Sequence, residues 1–192
     1  MMKNIGDEGT SLDPTQHARR LMKCAPIFDV LGELDELVAV MGVAKEYVYE
    51  DACEDCVLIG KSLESLQRSL INVSFFISTF QNHDRRTFNP VDDLEKTLEM
   101  MEEKIVCFSN TDSKGLHLVI ASGGKASTHL YHARSVCRRF ERTFLRFLSK
   151  NEGPAYMHTS HVPTVLAFIN RLSDFLFHTA RHLAKDSEVL FN

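Results

Sequence analysis

The stretch TVLAFINRLSDFLFHTARHLAK (164–185) decides the fold. Leu166, Ile169, Leu172, Phe175, Leu176 and Ala180 recur at helical spacing, so they share one stripe of a helix that must be buried. Asn170, Arg171, Ser173 and Asp174 sit inside this apolar run, with Asn170 and Asp174 on a common face. Polar groups this close to a core stripe need partners, supplied by another helix or by a ligand.

Working outward, NEGP (151–154) marks a turn before this helix. Ahead of it a long helix opens after Gly123 and Gly124 and runs to about Lys150. LHLVIA (116–121) reads as an extended lead-in with no evident partner strand, and SNTDSKG (109–115) as a break. A third helix starts near Pro90, with Asp92, Asp93 and Glu95 in its first turn, where the helix dipole favours negative charge. QNHDRRTFNP (81–90) is a polar loop, and the second helix spans about Val57 to Phe80 around Leu63, Leu66, Leu70, Val73 and Ile77. The first begins at Phe28, carries Leu31, Leu34, Leu37, Val38 and Met41, and has a plausible stop at Gly42. Residues 1–25 look irregular, broken by Gly6, Gly9 and Pro14. The expectation is an all-α, five-helix bundle over 28–187, within one domain covering 1–192.

Composition agrees. A chain of 192 residues, 44% hydrophobic and 25% charged, has the balance of a soluble globular protein. A net charge of −4 argues against a nucleic-acid partner. No apolar run approaches the roughly 20 residues of a membrane span. The N-terminus resembles neither a signal peptide nor an Arg-rich transit peptide. The five cysteines suggest reduced thiols in a cytosol-like or matrix-like compartment. Cys53 and Cys56 form a single C-x-x-C, weak by itself as a metal or redox motif.

Four groups of residues could carry chemistry. Arg134, Arg138 and Arg142 are spaced i, i+4, i+8 along one helix face, accompanied by Arg139, Glu141 and Arg146. Such a row either grips a polyphosphate through charge-assisted hydrogen bonds or forms a solvated basic face. Asn170 either bonds between helices or reads a sugar or base. GELDEL (32–37), with Asp35, fits the acidic start of a helix. GDEG (6–9), followed by Thr10 and Ser11, could wrap phosphate oxygens, although neither it nor SGGK (122–125) is a Walker loop. The helical pairs His178/His182 and His129/His132 lack any accompanying metal motif and read as structural or solvated.

Taken together, SGGKASTHLYHARSVCRRFER (122–142), FINRLSDFLFHTAR (168–181), GELDEL (32–37) and GDEGTS (6–11) resemble the PduO-type ATP:cob(I)alamin adenosyltransferase family. LESLQRSL (63–70) and LEKTLEMM (94–101) resemble its intervening helices, so the resemblance covers nearly the whole chain in order. It implies a five-helix bundle assembled as a homotrimer, with active sites between subunits. It implies transfer of the 5′-deoxyadenosyl group of ATP to the cobalt of cob(I)alamin, with Mg²⁺ on the triphosphate. A corrinoid-binding carrier on the same fold is the alternative. By resemblance, Asn4, Gly6, Asp7, Gly9 and Ser11 belong to the ATP loop, and Lys23 contacts phosphate. Arg138, Arg139, Glu141 and Arg142 line the ATP site, with Arg138 on the triphosphate and Asn170 on the nucleoside. Asp35 and Arg134 correspond to an intersubunit ion pair shaping the corrinoid site. Leu118 stands at the corrinoid lower face, where many members carry phenylalanine. A flavoprotein reductase supplying cob(I)alamin, and a mutase or dehydratase using adenosylcobalamin, are the implied partners. The expected location is cytoplasmic, or the mitochondrial matrix if a targeting segment precedes this sequence.

Overall fold

A computed structural model describes residues 6–14, 19–51, 55–79, 93–110, 119–152, 161–184, 187 and 189–190. Five helices dominate: α1 (Pro26–Glu50), α2 (Cys56–Thr79), α3 (Leu94–Asn110), α4 (Lys125–Glu152) and α5 (Val162–Ala184). α4 packs between α1 and α5; α2 lies against α1, and α3 against α5.

The burial pattern explains the bundle. In α1 the buried positions are Ile27, Val30, Leu34, Leu37, Met41, Ala44 and Val48, alternating steps of three and four residues. In α2, Cys56, Ile59, Leu63, Leu66, Leu70, Val73 and Ile77 repeat that rhythm. Such a stripe stays on one side of a helix and fits the grooves of an antiparallel neighbour. Phe140, Phe144, Phe168 and Phe175 are the largest fully buried side chains, filling the space between α4 and α5.

Two boundaries differ from the sequence expectation, both of them in α1. α1 does not stop at Gly42 but continues to Glu50, because Ala44 and Val48 extend the buried stripe. Gly42 instead makes room for Gln67, whose Nε2 would lie 3.2 Å from an added Cβ. That Gln67 amide donates to the Val38 carbonyl at 2.9 Å, tying α2 to α1. α1 starts at Pro26, a residue suited to the first turn because the amide it lacks would have no helical partner there. The described part of α3 begins at Leu94; residues 80–92, including the expected polar loop, lie outside the described residues.

The first 25 residues are not wholly irregular. Strand β1 (Thr10–Leu12) pairs antiparallel with β2 (Arg20–Met22), Ser11 opposite Leu21. The extended 116–121 segment also has a partner: β3 (Val119–Ile120) pairs antiparallel with β4 (Val189–Leu190). Both pairings are contacts between segments that local periodicity cannot register. No helix of the described residues is long and apolar enough to cross a membrane. The expectation of reduced thiols is corrected at Cys56, which is disulfide-bonded. Counting cysteines does not say which sulfurs a fold brings together. Cys24, Cys107 and Cys137 are free, and Cys53 lies outside the described residues.

Candidate active site

The N-terminal hairpin builds one half of the candidate site. Gly6 to Gly9 form a turn closed by the Gly9 amide on the Gly6 carbonyl at 3.3 Å. Gly9 has φ +69°, a conformation glycine takes without steric cost. The Lys23 amide donates to the Gly9 carbonyl at 2.8 Å, and Lys23 Nζ donates to the Gly6 carbonyl at 3.1 Å. The fold therefore brings Lys23 onto the GDEG turn across 17 residues of chain. Arg20 braces the hairpin by donating to Thr10 Oγ1 from Nε at 3.0 Å and to the Thr10 carbonyl from an Nη at 3.1 Å. Sequence reading did not single out Arg20, since its role exists only once β1 and β2 are paired. Asp7 and Lys23 are exposed and Ser11 is partly exposed; Asn4 lies outside the described residues.

The arginine row of α4 divides into groups with different duties. Arg138 and Arg142 are exposed, and among the described residues neither has an ion-pair partner. Arg142 donates to the Arg138 carbonyl at 2.9 Å, which holds its side chain along the helix. Arg139 points the other way, toward α1. Its Nε donates to Glu33 at 2.5 Å and an Nη pairs with Glu36. The hydrogen bonds it donates to Glu33 and Glu36 raise the Arg139 pKa above its ordinary value. Through these pairs the Arg139 guanidinium joins α4 to α1. Glu141 is half-buried on the same helix. Beyond this tie, a cleft of about 510 Å³ opens between Phe28 and Gly32 of α1 and Arg146 and Lys150 of α4.

Arg134 is half-buried, with its guanidinium 5.1 Å from the Phe177 ring centroid. Its Nε is buried without a hydrogen-bond acceptor. Asp35 is exposed on α1, and the two do not pair within the chain. On α5, Asn170 is exposed, while Arg171 pairs with Glu102 of α3 and with Asp174, each at 3.3 Å. Asp174 is thereby occupied locally, and Asn170 alone of that polar group faces outward.

The segment entering α4 is built from glycine and serine. Gly123 and Gly124 have φ of +93° and +100°. Gly123 lies against α5 so closely that an added Cβ would stand 2.2 Å from Ala184 Cβ. Ser122 donates to the Ile120 carbonyl at 2.8 Å and accepts the Val189 amide at 2.9 Å. Its own carbonyl receives Ser127 Oγ at 2.7 Å. Leu118 lies outside the described residues, next to β3.

Three histidines among the described residues have structural partners. His182 bonds Asp55 at 3.1 Å and stacks on Phe108, His178 bonds Ser109 at 3.1 Å, and His129 meets the Lys125 carbonyl at 3.0 Å. Among the described residues, no group of three or more His, Cys, Asp or Glu could hold a metal ion.

Residues 1–183 match the family described as cobalamin adenosyltransferase. The chain belongs to the cobalamin adenosyltransferase family. Membership makes it an enzyme, a corrinoid adenosyltransferase. Its similarity to curated members is distributed over the chain. The corrinoid adenosyltransferase MMAB of Mus musculus is 29% identical over 187 residues, spanning 93% of this chain and 70% of its own. The Bos taurus MMAB is likewise 29% identical, over 69% of its length. A variant PduO-type ATP:corrinoid adenosyltransferase from Lactobacillus reuteri, complexed with cobalamin and ATP, shares the fold. It superposes with a TM-score of 0.81 at 23% identity, covering 100% of this chain and 97% of that one. A second variant, with the same ligands, gives 0.79 at 25% identity over 100% and 98%. In this adenosyltransferase family member, then, the described residues present exposed α4 arginines without ion pairs, a lysine-braced turn and an outward asparagine.

Proposed function

We propose that this chain transfers the 5′-deoxyadenosyl group of ATP to the cobalt of cob(I)alamin, forming adenosylcobalamin and releasing triphosphate. One observation carries the reading: Arg138 and Arg142 stand exposed, one turn apart, without a carboxylate of their own, whereas Arg139 and Arg171 are each held by acids. Cations kept free of internal partners suit an incoming polyanion.

In the reaction, cob(I)alamin attacks C5′ with the electron pair on cobalt. The Co–C5′ bond forms, the C5′–O bond breaks, and triphosphate leaves with that bond's electrons. Cobalt passes formally from Co(I) to Co(III). So strong a nucleophile needs no general base. The protein's work is to align the two substrates and to neutralise the leaving group. Arg138 would hold the triphosphate, with Arg142 beside it. Lys23 and the turn of Gly6, Asp7, Gly9 and Ser11 would hold it from the N-terminal side. Glu141 would border this site, and Asn170 would bind the nucleoside. The donor set suits Mg²⁺ held chiefly by phosphate oxygens and water rather than by a protein cage; it would add charge neutralisation to the leaving triphosphate.

A homotrimer with sites between subunits fits Asp35 and Arg134. Neither finds the other within the chain, so Arg134 would meet Asp35 of the partner subunit at the corrinoid site.

The test is anaerobic absorbance of chemically reduced cob(I)alamin with the protein, ATP and Mg²⁺. Loss of the cob(I)alamin bands with appearance of light-sensitive adenosylcobalamin is expected, and Arg138→Ala should abolish it while leaving the exposed helix face folded. Corrinoid bound without alkylation would make the protein a carrier; full activity in Arg138→Ala would refute the triphosphate assignment.

A further inference from the structure

Phe177 lies on α5, beside Arg134, and has no part in the site as drawn so far. Its ring receives two guanidinium groups: Arg134 from α4 at 5.1 Å and Arg181 from its own helix at 5.8 Å. Tyr131 meets it edge-on at 6.1 Å, and His178 at 5.4 Å. These neighbours confine the ring. Arg134 has no hydrogen-bond partner at its buried Nε and no ion pair among the described residues. Nothing else described fixes the plane of that guanidinium. A cation over an aromatic face is attracted by the ring quadrupole, and a flat guanidinium stacked there keeps its in-plane N–H groups available.

We infer that Phe177 is a positioning residue for the corrinoid half of the site: its ring sets the plane of Arg134 and so aims the remaining N–H donors out of the bundle. This rests on the proposed function and deepens it, since the anion awaiting Arg134 is a carboxylate of a second copy of this chain. The consequence is selective. Loosening Arg134 should weaken productive use of the corrinoid and leave the ATP side, built on Arg138 and the N-terminal turn, unchanged.

The experiment measures KM for cob(I)alamin and for ATP in full-length protein. Two changes are made at position 177: Phe177→Leu, and a ring-fluorinated phenylalanine that keeps shape while weakening the quadrupole. The expected result is a rise in KM for cob(I)alamin of about fivefold with Phe177→Leu. A graded rise with the number of fluorines should accompany it, with KM for ATP unchanged. Phe177→Tyr should restore the parent value. In an Arg134→Ala background neither change should have any further effect. Fluorination without effect in an active enzyme, or an equal rise in the Arg134→Ala background, would overturn the inference and leave Phe177 a packing residue. An inactive parent protein would instead overturn the functional reading beneath it.

Discussion

Gly123→Ala is the most discriminating perturbation of the fold around the site. The new Cβ would stand 2.2 Å from Ala184 Cβ and 2.6 Å from Ala184 Cα, and the second of these is backbone that no rotamer change can move. At φ +93° an alanine also carries the cost of a conformation L residues avoid, about 1–2 kcal/mol. Forcing α5 away adds an overpacking cost of about 1–3 kcal/mol. The sum is about 3.5 kcal/mol near its centre, and in a chain of this size that lowers Tm by roughly 7–14 °C. Gly124→Ala is the internal control: its φ is +100°, but an added Cβ meets nothing within 4 Å. It carries the backbone cost alone, so its Tm should fall by only about 2–8 °C. Thermal unfolding followed by circular dichroism measures both. Equal melting temperatures for the two variants, or a Gly123→Ala protein within about 2 °C of the parent, would refute the claim that α5 closes on this turn.

Three further outcomes concern the bundle itself. Burial pushes the Cys137 thiol up to about 12 from an ordinary 9.0. Native protein should therefore be labelled by an alkylating reagent at exposed Cys24 and Cys107 but not at Cys137, as peptide mass mapping would show. Because the folded value is the raised one, the linked stability is complete below pH 9.0 and is lost as pH climbs toward about 12, which alkaline unfolding curves would register. Arg139→Ala should cost no more than about 1 kcal/mol, since the pair is partly open to solvent, and the difference from the parent should shrink in high salt. A larger, salt-independent loss would mean that Arg139 contributes through packing.

The stripes of α1, α2 and α5 were legible because core burial imposes a period on the sequence, and α1 was misjudged only at its ends, at Pro26 and where Gly42 looked like a stop. The two short pairings were not legible: Thr10 with Met22 and Val119 with Leu190 carry no local signature of their partners. Residue type and spacing named the arginine row and the GDEG turn as candidates, whereas Lys23 entered only through the family resemblance. What spacing could not give was direction. Arg138 and Arg139 are adjacent in sequence, yet one faces solvent and the other crosses to Glu33 and Glu36. Phe177 was not singled out at all, because a ring's contacts with guanidinium groups depend on which helices meet.

The bond from the Val189 amide to Ser122 Oγ joins residues 67 positions apart. During synthesis at about 5–20 residues per second, the turn entering α4 would wait roughly 3–13 s for this partner after its own residues are made. Through that interval the arginine-bearing helix can already lie against α1, but its first turn lacks the strand that closes it. Maturation of the site is thus a late event, set by the arrival of β4 rather than by the helix that carries the charges.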